Sequence, residues 1–159
     1  MEFPRIDSAL ETCRRHLDSL NETDVGLAVE LENHLVAAMT VLIVSEYEVF
    51  IEELFGKRGD RCGDTPVARY VRSQLTRRFR SPDLGKVNEV LSWFGQDYRN
   101  EFFGNLENTP EHAAWDNLMR ARHFIVHRQG AMNLTFRELS ESYQRTTSVL
   151  ERLARALEK

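Results

Sequence analysis

The stretch "TFRELSESYQRTTSVLERLARAL" (residues 135–157) decides the fold class. Phe136, Leu139, Tyr143, Thr146, Leu150, Leu153 and Leu157 recur at alternating steps of three and four, the spacing of one stripe on an α-helix. Thr135 and Glu138 stand three apart at its start, as in a capping box, where each side chain accepts from the other residue's backbone N–H. Such a stripe needs a partner helix, in the same chain or in another.

The same period runs outward through the chain. Ile6, Leu10, Cys13, Leu17 and Leu20 stripe a first helix that Pro4 opens and that stops near Asn21. A second helix, from Thr23 or Asp24 to Phe55, is apolar on most sides and reads as a central helix packed by several neighbours. Gly56 is expected to end it, leaving "GKRGDRCGD" (residues 56–64) as a loop; the loop lacks GxxxxGK spacing, so a P-loop is not supported. Asp64 and Pro66 open a third helix with the ladder Val67, Val71, Leu75, Phe79. Ser81-Pro82 opens a fourth, with Val87, Val90, Leu91 and Phe94, ending at Gly95. "QDYRNEFFGN" (residues 96–105) continues as a short helix or turn. Trp93, Phe94, Tyr98, Phe102 and Phe103 keep helical spacing and read as core rather than as base-stacking surfaces. Thr109 caps a further helix that begins at Pro110 and ends at Gly130. No stretch alternates strictly, so the chain reads as all-α: a bundle of four main helices with shorter additions, in one domain over residues 1–159.

Composition narrows the classes. With 42% hydrophobic and 29% charged residues, the chain falls among soluble globular proteins. Cys13 and Cys62 form no CxxC pair and read as reduced thiols, which points to a cytoplasmic protein. The N-terminus shows no signal-peptide pattern, and the apolar run Leu35–Val44 is half the roughly 20 residues of a membrane span, so it reads as a buried helix and no membrane partner is expected. The net charge of −4 argues against a protein that coats nucleic acid along its whole surface. Its distribution is uneven: Asp18 to Glu53 holds nine acidic residues and no Lys or Arg, while Lys57 to Arg80 holds eight basic residues against Asp60 and Asp64. Arg69, Arg72 and Arg80, with Arg77 nearby, fall opposite the Val67–Phe79 ladder. Together with Arg128 they form a candidate track for RNA phosphates; the alternative is a solvated face or a docking surface for an acidic partner.

The helix after Pro110 carries the chemistry. Trp115, Leu118, Arg122 and Ile125 share one stripe, so Arg122 stands where an apolar residue is expected. Burying that guanidinium unpaired would cost several kcal/mol. It therefore needs a carboxylate, a phosphate or water at an interface, and Glu46 and Glu48 on the central helix are the candidate supporting carboxylates. His127 follows five residues later, about 140° and 7.5 Å away on an ideal helix. One helix does not easily aim both groups at one phosphate; a second copy brought alongside by a two-fold axis helps, which points to a homodimer. His123 and His127, at i and i+4, have the spacing of zinc ligands, but HExxH is absent and no third ligand is evident in the sequence. No metal or other cofactor is expected, although a helical metal-dependent hydrolase using these two histidines stays as an alternative.

Arg122-His123-Phe124-Ile125-Val126-His127 resembles the Arg, polar residue, three mostly apolar residues, His motif of the HEPN superfamily of all-α domains. "LMRARHFIVHRQG" (residues 118–130) and "SEYEVFIEELF" (residues 45–55) are similar to a branch found in bacterial defence and toxin modules. His123 replaces the asparagine frequent after the arginine, and Arg128-Gln129 intervene where many relatives have glycine. The resemblance implies a metal-independent endoribonuclease whose site forms where two protomers meet. His127 would be general acid/base, Arg122 phosphate stabiliser and His123 an assistant, with RNA as substrate and a 2′,3′-cyclic phosphate as product. It also implies the toxin or effector half of an antiviral defence or toxin–antitoxin system, with an antitoxin or other inhibitory partner. A catalytically silent HEPN-like dimerisation or nucleotide-binding module is the other alternative.

Overall fold

Helix capping and apolar spacing set the elements of the computed structural model, which describes residues 2–79, 81–128 and 134–158, with the side chain of Arg128 left aside. The described residues form seven helices and no strand: α1 (Pro4–Thr23), α2 (Val25–Asp60), α3 (Thr65–Arg78), α4 (Leu84–Phe94), α5 (Gln96–Phe103), α6 (Pro110–Arg128) and α7 (Phe136–Leu157). α1, α2, α6 and α7 are the four main helices, and the all-α expectation holds. α2 packs against α1, α3, α6 and α7, while α7 also lies on α5. All seven residues of the α7 stripe are buried, so its partner helices lie within the same chain. Its capping box is formed as expected, and the two hydrogen bonds from Thr135 hold the Glu138 carboxyl below its ordinary pKa.

The core gathers on the middle and second half of α2, where Val36, Ile43, Tyr47, Ile51 and Phe55 have no exposed surface. Tyr47 stacks on Trp115 of α6 with ring centroids 5.4 Å apart, and its hydroxyl bonds Thr146 Oγ1 of α7 at 2.8 Å. One aromatic pair thus ties three of the long helices together. Trp115 Nε1 donates to the Pro82 carbonyl at 3.0 Å, which anchors the α3–α4 linker onto α6. α2 is long and apolar enough to cross a membrane by length and composition. One face of its middle is nevertheless buried among its neighbours, while its first two turns expose Val25, Leu27 and Val29.

Three helix boundaries differ from those the sequence suggests. α1 runs to Thr23, and a single extended residue, Asp24, breaks the chain and caps α2 by accepting from the Leu27 N–H. α2 does not stop at Gly56 but continues to Asp60. Gly56 and Gly59 serve a close helix approach: a Cβ on Gly56 would meet Arg72 Nη1 at 2.5 Å, and one on Gly59 would meet Val71 Cγ1 at 3.1 Å. The turn is the shorter stretch 61–64, where Gly63 takes the left-handed conformation at φ 73°. α4 starts after Asp83, which accepts from the Lys86 N–H, rather than at Ser81-Pro82. Ser81 sits instead at φ 63°, a position that non-glycine residues seldom adopt. The helix stop expected at Gly130 lies outside the described residues.

The aromatic cluster after residue 92 divides. Phe102 is buried, and Phe94, Tyr98 and Phe103 pack against the core, as expected. Trp93 does not: 58% of its surface is exposed. Val67, first rung of the α3 ladder, is also exposed, because the core contact of α3 begins one turn later, at Val71.

Candidate active site

α6 is capped by Thr109, whose hydroxyl accepts from the His112 N–H at 3.2 Å. Its first half sinks Trp115 and Leu118 into the core to 1% exposure. The next position on that stripe is Arg122, and it emerges where the core ends, with about a quarter of its side chain exposed. Arg122 Nη2 lies 3.7 Å from Glu48 Oε1, beyond hydrogen-bond distance. That same carboxylate oxygen is occupied by the Ser81 N–H at 2.7 Å. Glu46 turns elsewhere, to Arg5 at 2.7 Å. Of the two candidate carboxylates, then, only Glu48 faces Arg122, and it leaves the guanidinium room for another anion.

Arg122, His123 and His127 line one wall of an open cleft of about 750 Å³. The opposite wall is the α3–α4 linker and the start of α4: Ser81, Asp83 and Lys86. Lys86 Nζ bonds the Ser81 carbonyl at 2.8 Å and lies 3.3 Å from Asp83 Oδ2. The Ser81 N–H to Glu48 of α2 and the Ser81 carbonyl to Lys86 of α4 together hold Ser81 in its strained conformation, while the Trp115–Pro82 bond ties the linker to α6. Sequence reasoning missed Ser81, Asp83 and Lys86, because only the fold of the linker onto Trp115 carries them to residues some 40 positions away. The one local signal was the Asp83 cap with Lys86 three residues on.

His123 and His127 are exposed, with ring centroids 4.5 Å apart. Among the described residues no third His, Cys, Asp or Glu joins them in a group able to hold a metal. His112 lies about three turns before His123 on α6, 3.7 Å from Asp116. A second groove of about 800 Å³ separates α6 from α7; Ala113, Ala114 and Ala121 line it beside Leu134, and it shares Arg120 and Phe124 with the cleft.

The candidate RNA track fares unevenly. Arg69 and Arg77 are exposed on α3. Arg72 is engaged by both oxygens of Asp60 at the end of α2, with Nε at 3.1 Å from Oδ1, and this pairing pulls the Asp60 pKa down and the Arg72 pKa up. Arg72 is therefore part of the α2–α3 contact rather than a free cation on the outer face. Arg80 and the side chain of Arg128 lie outside the described residues.

Four long helices, three short ones and an Arg-x4-His pair emerging from the core near the end of α6 define a nuclease-like domain of the HEPN type. The chain matches the RiboL-PSP-HEPN family model over residues 5–159 and belongs to that family. No curated protein and no solved structure gives a significant match.

Proposed function

We propose that this protein is a metal-independent endoribonuclease that acts as a homodimer, and that it serves as the toxin or effector of a bacterial defence or toxin–antitoxin system restrained by a partner protein. The observation that carries the chemistry is the position of Arg122: it interrupts a buried stripe, emerges in an open cleft that His127 also lines, and is only loosely held by Glu48.

In this reading the RNA phosphate lies against Arg122, whose planar, permanently charged fork stabilises the oxygens that gain charge in the transition state. His127 takes the proton of the adjacent 2′-hydroxyl, the 2′-oxygen attacks phosphorus, and the bond from phosphorus to the 5′-oxygen breaks. The leaving 5′-oxygen collects a proton from the equivalent histidine across the two-fold axis. The products are a 2′,3′-cyclic phosphate and a 5′-hydroxyl. His123, one turn before His127 on the same face with ring centroids 4.5 Å apart, assists it.

Two features favour a second copy. His127 lies about 140° round the helix from Arg122, so a two-fold pairing of α6 brings one protomer's arginine towards the other's histidine. Val126, 47% exposed, and the partly exposed Phe124 and Ile125 leave apolar surface around these charges for a partner to cover.

The test is cleavage of a labelled RNA by wild type, Arg122→Ala and His127→Ala, each with and without EDTA. Cleavage that persists in EDTA and falls at least about a hundredfold in either variant supports the proposal. Loss in EDTA would transfer the chemistry to a metal at His123 and His127. No cleavage of any RNA by a well-folded dimer would leave a silent HEPN module.

A further inference from the structure

The aromatic residue that escapes the core marks a second surface. Trp93 at the end of α4 and Tyr70 on α3 are 58% and 66% exposed, and between them lies a pocket of about 330 Å³ completed by Val71, Gln74, Leu75 and Phe94. Two large exposed rings beside an apolar slot need an explanation beyond packing, since neither contributes its face to the core. The helix that carries Tyr70 is basic. α3 carries four arginines and no acidic residue, with Arg69 and Arg77 exposed and the Arg78 guanidinium 5.8 Å above the Trp93 ring while it also pairs with Glu89. Gln74, partly exposed in the slot, offers both a donor pair and an acceptor.

We propose that the Tyr70–Trp93 slot is a second nucleic-acid site that takes an unpaired RNA base, with Arg77, two turns along the Tyr70 face of α3, on a flanking phosphate. The inference rests on the reading of the protein as a ribonuclease and adds an anchoring site to it. Flat aromatic faces accept any base by stacking, a cationic rim follows the backbone, and the amide reads a base edge without demanding one base. Position supports the same occupant: α4 runs from Lys86 in the cleft to Trp93 at the slot, seven residues or about 10 Å. A strand anchored at the slot therefore reaches the cleft within a few nucleotides. Single-stranded RNA would be held there, because the faces of a base inside a duplex are covered by its stacked neighbours.

The experiment uses the full chain and a labelled 2′-O-methyl RNA of about ten nucleotides, which lacks the 2′-hydroxyl and so is bound without being cut. Anisotropy should show binding that weakens about tenfold in Trp93→Ala and in Tyr70→Ala, with Trp93→Phe recovering most of it. The only other tryptophan, Trp115, is 1% exposed, so quenching of intrinsic fluorescence by the RNA should be lost in Trp93→Phe. Unchanged affinity in both alanine variants, or quenching that survives Trp93→Phe, overturns the proposal. So does a change in self-association of Trp93→Ala at unchanged RNA affinity, which would make the face a protein contact. The two readings separate cleanly: wild type that binds and is quenched yet cleaves no RNA keeps the slot and removes the nuclease. Full cleavage with unchanged binding in both alanine variants does the reverse.

Discussion

α6 is one continuous helix with two halves that behave differently. From Pro110 to Met119 it buries Ala114, Trp115, Leu118 and Met119, each to 6% exposure or less. From Arg120 to His127 it buries nothing completely, although Phe124, Ile125 and Val126 continue the apolar composition. Helical periodicity alone would give both halves the same role. The difference lies in the covering residues: Tyr47 and Pro82 cover Trp115, whereas among the described residues Glu48 and the Ser81 linker flank Arg122 beside an open cleft. Apolar surface in excess of what the monomer core uses, set among fixed charges, is the composition of an interface.

The sharpest way to break the comparison is to truncate one residue in each half. Trp115→Ala should lower stability by about 3–5 kcal/mol in urea unfolding, since it removes a stacked ring and a hydrogen-bonded indole from a filled core. His127→Ala should change stability by no more than about 0.5 kcal/mol, because the imidazole is exposed. Equal losses in the two variants would erase the distinction between a core half and a site half. Arg122→Lys comes next. A lysine keeps the charge but loses the fork, so cleavage should fall on the order of a hundredfold while the unfolding midpoint stays put. An unfolding midpoint that drops with the activity would make Arg122 a structural residue.

The division within α6 also shows what one sequence can reveal. The α7 stripe, its capping box and the interrupted stripe at Arg122 were legible because each depends on spacing within a single helix. Three features were not. Gly56 and Gly59 look like a helix stop, and only the approach of Val71 and Arg72 explains their place inside α2. Trp93 keeps core spacing, but it lines the pocket it shares with Tyr70 instead of entering the core. Lys86 and Ser81 enter the cleft through the Trp115–Pro82 hydrogen bond, a contact between segments 33 residues apart. Local rules find the residues that break a pattern, whereas the opposite wall of a site is set by long-range packing.

The interface expectation can be tested without RNA. Val126→Asp places a charge on the exposed apolar surface of the site half, where the monomer core gives up nothing. Sedimentation should show the dimer weakened by about tenfold or more, with helix content and monomer stability intact. Cleavage should then become dependent on protein concentration. A Val126→Asp protein that stays dimeric to the same dilution as wild type places the contact elsewhere on the molecule.

The smallest expected effect decides how Arg122 is held. In a closed core, neutralising the partner of a buried arginine costs about 3–5 kcal/mol. Here the pair is 3.7 Å apart, with 24% and 21% of the two side chains exposed, and Glu48 is shared with the Ser81 N–H. Glu48→Gln keeps an amide oxygen for Ser81 and removes only the charge facing Arg122, so stability should move by less than about 1 kcal/mol. Cleavage should change by less than about tenfold, since Glu48 orients the guanidinium but does not touch the phosphate. A loss of several kcal/mol would instead show Arg122 locked to α2 as a structural ion pair. The interrupted stripe would then be explained without any substrate, and the two halves of α6 would reduce to one core helix with a frayed end.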